Sequence, residues 1–169
     1  MGDSNVGKSQ LLQHCIEGRF DEDLEHTVGT DYWVKQFNFQ SQDKNLDINL
    51  IFWDFGGLKQ FSGAKMRENL DKTDGVFIVG DITQTKSFDR IEKYWLPEMR
   101  KHLNINIPII LLANKADLKP KIEKKEIKSI AKAFGIDKVF WTSAKNGLNV
   151  EEAFKSILFP IIERELNRL

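Results

Sequence analysis

Gly2-Asp3-Ser4-Asn5-Val6-Gly7-Lys8-Ser9 decides how the rest of this chain is read. Glycines at positions 2 and 7, followed by Lys-Ser, let closely spaced backbone N–H groups turn toward phosphate oxygens. In such a pattern the lysine neutralises the outer phosphates and the serine hydroxyl reaches Mg²⁺. Leu11 and Leu12 follow and anchor a helix whose N-terminus adds its own positive end. The stretch therefore predicts a phosphate-binding loop feeding a helix over residues 9–17, stopped by Gly18. A Gly-containing surface turn before a helix is the competing reading, and the downstream motifs decide between the two. A loop of this kind normally hangs from a buried strand. Here Met1 precedes it directly, so the expected sheet has either a gap or a rearranged order at its centre.

Working outward, residues 20–30 are acidic and lack periodicity, which predicts a loop. Tyr32 to Phe39 is rich in aromatic and β-branched residues, while Leu46, Ile48, Leu50 and Phe52 alternate with polar neighbours. These are expected as two antiparallel strands joined by a polar turn at residues 41–45. Gly56-Gly57 break the second strand, and a loop with a short helix is expected over 58–72. Short apolar runs at 76–79, 109–112 and 139–141 predict strands buried on both faces of a parallel sheet. Helical patterns separate them at 87–102 and 123–134, and a last helix covers 150–167 with Asn149 and Glu152 spaced as a capping box. Pro97 and Pro160 are expected to kink or shorten their helices. The alternation predicts an α/β, doubly wound sheet with ligands at the carboxyl ends of its strands.

The chain has 169 residues, 41% hydrophobic and 30% charged, which suits one globular domain. Twenty-five basic residues balance 25 acidic ones, so no global field favours nucleic acid. Cys15 is the single cysteine, which excludes an internal disulfide, and its place on the first helix suggests a small buried side chain. No apolar run approaches a membrane span, and the C-terminal residues 165–169 contain no prenylation cysteine. His14, His26 and His102 show no metal-ligand spacing.

Three further constellations carry chemistry. Trp53-Asp54-Phe55-Gly56-Gly57 ends an apolar strand, where a carboxylate can reach Mg²⁺ through water and a glycine N–H can approach a terminal phosphate. Asn114-Lys115-Ala116-Asp117 follows the strand at 109–112. Guanine presents N1–H and N2–H donors side by side, which one carboxylate accepts together, so Asp117 would select guanine over adenine. Thr142-Ser143-Ala144-Lys145 follows the last short strand; Ala144 can offer a backbone N–H to the guanine carbonyl and Lys145 can lie along the base.

In this order, each near a strand end, the four pieces resemble the Ras superfamily of small GTPases over nearly the whole chain. The phosphate loop, Thr27-Val28-Gly29-Thr30-Asp31-Tyr32, Asp81-Ile82-Thr83 and Ser87-Phe88 look most like the Rab branch, whereas Trp53 to Gly57 is closer to the Arf and Roc types. The resemblance implies a P-loop NTPase three-layer sandwich: a mostly parallel sheet with one antiparallel strand and helices on both faces. It implies a single G domain over 1–169, truncated before the phosphate loop, with its first strand missing. GTP or GDP would be bound by Ser4, Asn5, Val6, Gly7, Lys8, Ser9, Gln10, Phe20, Thr27, Gly57, Asn114, Lys115, Asp117, Ser143, Ala144 and Lys145, with Phe20 stacked on the base. Lys8 would bind the β- and γ-phosphates; Ser9 and Thr27 would ligate Mg²⁺, and Asp54 would hold a metal-bound water. Thr27 and Gly57 would close their loops on the γ-phosphate and release them after hydrolysis, which makes the loops near 20–32 and 54–72 the switches. Effector, exchange-factor and GTPase-activating proteins are the implied partners of a cytoplasmic monomer that reaches a membrane only through a tail outside this sequence.

One departure bears on catalysis. The family's water-positioning glutamine follows the second glycine, and here that residue is Leu58. An aliphatic side chain cannot orient a water, so intrinsic hydrolysis is expected to be slow, and Gln60 could substitute only if the loop were rebuilt. Leu58 reads as natural variation in a switch driven by nucleotide exchange, or as an engineered substitution that locks the GTP state. Leu24 stands where several relatives place a tyrosine lid. Two other classes remain open on the residues: a P-loop ATP-dependent kinase, against which Asn114 to Asp117 argues, and an interaction module that keeps the fold without turnover.

Overall fold

The computed structural model describes residues 1–21, 23–24, 27, 29–41, 44–56, 70–103, 107–136 and 138–167. Helix α1 (Lys8–Glu17) leaves the phosphate loop and stops at Gly18, whose left-handed backbone returns an N–H to the His14 carbonyl at 2.9 Å. Strands β1 (Thr30–Ser41) and β2 (Lys44–Phe55) form an antiparallel hairpin in continuous register from Thr30 opposite Phe55 to Ser41 opposite Lys44. Pairing thus extends into the polar stretch expected as a turn over 41–45, because backbone ladder bonds do not depend on side-chain polarity. The loop and short helix expected over 58–72 fall almost wholly outside the described residues.

Strands β3 (Val76–Asp81), β4 (Ile109–Asn114) and β5 (Lys138–Trp141) form a parallel sheet in the order 3-4-5. Alternation along them feeds two cores. Ile78 and Leu111 face the side covered by α2 (Thr85–Arg90), α3 (Leu96–Arg100) and α4 (Lys124–Ala133), where Phe88, Met99 and Ile127 are buried. Val79, Ile110 and Leu112 face α1 and α5 (Val150–Leu166), packing on Leu11, Phe154 and Ile157. Helices on both faces of the sheet make the three-layer α/β arrangement.

The helix before Pro97 neither breaks nor stays regular. Between α2 and α3 it widens into a π-turn over Ile91–Trp95, the Leu96 N–H reaching back to the Ile91 carbonyl. Proline lacks an N–H and crowds the carbonyl four residues earlier, and one wider turn absorbs both defects. The helix ends at Arg100, short of the expected 102. Helix α5 runs through Pro160 as one element. Its expected capping box is absent: Asn149 takes a left-handed backbone, its side chain makes no capping bond, and the amide donates instead to the Trp141 carbonyl at 2.8 Å.

β3 lies tight against α2. A methyl group on Gly80 would sit 2.7 Å and 2.8 Å from two Phe88 ring carbons and 3.0 Å from Ile91 Cδ1. Gly80→Ala is therefore expected to cost about 1–3 kcal/mol by overpacking. A lowered urea midpoint at unchanged slope checks this, and an unchanged midpoint would mean that Phe88 and Ile91 yield.

Among the described residues β2 pairs only with β1, and β3 only with β4, so the two sheets do not join. A slot of about 420 Å³ separates them, lined by Leu50 and Phe52 on one side, Val76 and Phe77 on the other, and Phe154 and Ile157 below. Met1 closes one end: its amine donates to the Phe77 carbonyl at 2.6 Å and its carbonyl accepts from the Val79 N–H at 2.8 Å, the bonding pattern of a parallel neighbour.

Candidate functional site

The loop 2–9 curls over the carboxyl ends of β3 and β4. Gly7 has φ +92, and a side chain there would run into the Asn114 amide. That close approach has a purpose: Asn114 Nδ2 donates to the Val6 carbonyl at 2.8 Å, while its Oδ1 accepts from Thr142 Oγ1 and the Ala144 N–H, each at 3.3 Å. One buried amide therefore ties together the phosphate loop, the segment after β4 and the segment after β5. The Ala144 N–H, expected to face a guanine carbonyl, is turned toward Asn114 here.

Beside this knot lies a cavity of about 560 Å³ lined by Ser4, Asn5, Gly7, Lys8, Ser9, Gln10, Phe20, Leu24, Thr27, Gly56, Asn114, Lys115, Asp117, Leu118, Ala144 and Lys145. Most of the residues expected to bind a nucleotide meet at this one space. Val6 does not line it; its side chain is buried in the core, leaving its backbone N–H as what it can offer. Ser143 is also buried, and its hydroxyl donates to Asp117 Oδ1 at 2.6 Å, orienting the carboxylate. Asp117 itself is exposed at the rim, so the cost of leaving it unpaired arises only once a base covers it. Gly57, Leu58 and Gln60 lie outside the described residues.

Three oxygen ligands converge where the Ser9 and Thr27 wall of this cavity meets Asp54, which itself lines the slot between the sheets. Ser9 Oγ lies 2.7 Å from Thr27 Oγ1, Thr27 Oγ1 donates to Asp54 Oδ2 at 3.0 Å, and Ser9 Oγ also bonds Asp54 Oδ2. The second carboxylate oxygen, Asp54 Oδ1, is buried with no hydrogen-bond partner among the described residues. A hard, all-oxygen set with an orphaned carboxylate oxygen fits Mg²⁺, which takes few protein ligands and completes its shell with phosphate oxygens and water. No cluster of three or more His, Cys, Asp and Glu side chains suited to a metal occurs among the described residues, as the hydroxyl-rich character of this set would have it.

Burial lowers the Lys8 amine below the ordinary lysine value, and the Asp54 and Asp3 carboxylates oppose that shift. Asp81 was not singled out as a site residue by its sequence. It is fully buried at the end of β3, where Lys115 Nζ lies 2.7 Å from Oδ2 and the Thr83 N–H and hydroxyl bond Oδ1 at 2.8 Å and 2.7 Å. Burial pushes its carboxyl up, but the bonds from Lys115 and Thr83 outweigh it and hold the group below the usual range. Asp81 thereby fixes Lys115, whose backbone is left-handed at φ 65, against the cavity wall. Cys15 and His14 take no part: burial pushes the thiol up to about 11, and His14 packs against Gly147.

On the outer face of the hairpin, Tyr32 (67% exposed), Val34, Ile51 and Trp53 (43% exposed) form an apolar strip, with the Tyr32 and Trp53 rings 6.0 Å apart. Trp33 between them is half-buried, because strand alternation turns it to the opposite face with Phe52.

A glycine-turned phosphate loop, an oxygen cluster for a hard dication and a carboxylate-bearing strand end around one cavity define a P-loop nucleotide-binding domain. The sequence matches the Ras family over residues 1–163, and the chain belongs to that family. It is 32% identical to Ras-related protein Rab-13 of Bos taurus over 167 residues, 96% of this chain and 77% of that protein. Ras-related protein Rab-2B of Dictyostelium discoideum is 32% identical, covering 97% of this chain and 79% of that protein. The Ypt/Rab-type GTPase YPT7 of Saccharomyces cerevisiae is 31% identical, covering 93% and 76% respectively. The chain is thus a Rab-like small GTPase. Among the described residues no helix is long and apolar enough to cross a membrane.

Proposed function

We propose that this protein is a switch that binds GTP with Mg²⁺, hydrolyses it slowly to GDP, and signals its state to effectors. The observation that carries this reading is the convergence of the phosphate loop, Thr27, the Asn114–Asp117 segment and Ala144-Lys145 on one cavity of about 560 Å³. Phe20 and Lys145 would hold the guanine base with Asp117 on its N1–H and N2–H edge, and residues 4–9 would hold the phosphates, with Lys8 on the outer pair. Ser9, Thr27 and Asp54 would hold Mg²⁺, which would offset charge on the phosphate oxygens. With Gly57, Thr27 senses the terminal phosphate and couples it to the loops near 20–32 and 54–72.

Residues 1–169 work as one G domain, without affinity for nucleic acid and as a monomer. Effectors meet the switch loops and the adjoining strip of Tyr32, Val34, Ile51 and Trp53, an apolar surface of the kind that marks a partner site. Exchange and activating proteins set the two states, and the protein works in the cytoplasm or peripherally on the cytosolic face of a membrane. Leu58 favours a second reading, a nucleotide-binding interaction module that does not hydrolyse GTP at all.

Single-turnover hydrolysis separates the two. Purified protein loaded with GTP is expected to convert it to GDP over hours, and Leu58→Gln to do so faster by about tenfold or more, because a positioned water is restored. Equal rates in parent and variant would free Leu58 of responsibility for the slow step. GTP that persists unchanged in both would establish the module without turnover.

A further inference from the structure

The buried carboxylate in the phosphate loop is not explained by nucleotide binding. Asp3 is nearly inaccessible, yet its side chain points away from the cavity into the layer of α2 and the π-turn. There Trp95 Nε1–H donates to Asp3 Oδ1 at 2.9 Å, and Arg90 Nη1 lies 3.1 Å from Asp3 Oδ2. The two donors come from positions 87 and 92 residues further along the chain. On its other side the same residue holds the functional lysine: Lys8 Nζ donates to the Asp3 carbonyl at 2.8 Å.

The geometry points to Arg90 and Trp95 as positioning residues for the outer phosphates, acting through Asp3 on Lys8. A lysine ammonium sits on four flexible carbons, and its value to a phosphate depends on how well it is held beforehand. The Asp3 carbonyl can hold it only if the Asp3 backbone is itself fixed, and two donors on the carboxylate provide that. The π-turn matters because it ends on Trp95, and wide turns of this kind re-aim single side chains at working sites. Trp95 is fully buried, so its indole N–H must find a partner, and Asp3 provides it. A carboxylate as buried as Asp3 would be expensive without such partners. The face formed by Arg90 and Trp95 thus bears on nucleotide affinity without touching the nucleotide.

This inference rests on the proposed role of Lys8, and its test separates the two. Affinities for GDP, GTP and GMP would be measured by competition against a fluorescent guanine nucleotide, in the parent, Trp95→Phe, Arg90→Met and each combined with Lys8→Met. Trp95→Phe keeps the ring and removes the N–H; Arg90→Met removes the charge from a half-exposed side chain. GDP and GTP are expected to weaken about tenfold in Trp95→Phe and about threefold in Arg90→Met. GMP, which lacks the outer phosphates, should change by less than twofold, and neither substitution should add to the loss already caused by Lys8→Met. Equal losses for GMP and GDP, or additive losses in the Lys8→Met background, would overturn the inference and reduce the cluster to a structural brace. A Lys8→Met protein that binds GDP as tightly as the parent would instead overturn the role of Lys8, and this inference with it.

Discussion

Replacing Asp117 with alanine is expected to weaken GDP and GTP binding by roughly 10²- to 10⁴-fold. Asp117 is the one carboxylate in the cavity wall among the described residues, and Ser143 Oγ bonds it at 2.6 Å. Each hydrogen bond to a charged group is worth about 1.5–3 kcal/mol, so losing a pair costs about 3–5 kcal/mol once the base covers the site. The preference for guanine over adenine should fall by a similar factor, because adenine never gained from the pair. Titration calorimetry with GDP and ADP on parent and variant measures both quantities. If the variant held GDP within threefold of the parent, Asp117 would not be the base-recognising group.

The slot between β2 and β3 leads to the second large effect. An apolar strand of about six residues fused ahead of Met1 is expected to raise the melting temperature by about 5–15 °C. The bonds that Met1 makes to Phe77 and Val79 already set the direction, parallel to β3, and the slot walls of Leu50, Phe52, Phe77 and Phe154 would cover the inward side chains. Inward residues contribute about 1.5–3 kcal/mol each, partly offset by the cost of ordering the added chain, for a net gain of about 2–4 kcal/mol. A second contribution comes from the amine. Burial, helped by the nearby Lys8 charge and opposed by Asp54, pushes the Met1 amine down from 8.0 to about 5. The unfolded chain therefore binds this proton more tightly than the folded one. Folded stability is then greatest above pH 8.0 and is lost as pH falls toward about 5. Turning that amine into an amide removes this loss. Melting curves between pH 5 and 8.0 should show the dependence in the 169-residue chain and its reduction in the fusion. A fusion that melts no higher than the parent would mean that the slot closes by collapse and takes no strand.

Much of this architecture could be read from local patterns. The phosphate loop, the stop at Gly18, the apolar runs that became β3, β4 and β5, and the alternation in β2 each depend on neighbours a few residues away. What escaped the sequence depends on distant partners. Asn149 and Glu152 have the spacing of a capping box, but the Trp141 carbonyl takes the asparagine amide first. The π-turn before Pro97 is one of several ways a helix can absorb a proline, and packing of Ile91 and Trp95 into the core selects it. Asp81 and Asp3 look like ordinary acidic residues until the fold brings Lys115 to one and Arg90 with Trp95 to the other. The two-residue period of a strand by itself separates Trp33 from Tyr32 and Trp53.

The Asn114 side chain also has a thermodynamic meaning. Its amide bonds the Val6 carbonyl on one side and the Thr142 and Ala144 donors on the other, so the walls for the two ends of a nucleotide share one rivet. A ligand fragment that carries only a nucleobase, or only a pyrophosphate, stiffens half the cavity and leaves the other half to be ordered later. The intact nucleotide meets that ordering cost once for both halves, and its affinity exceeds the product of the fragments' affinities by more than their covalent link alone would supply.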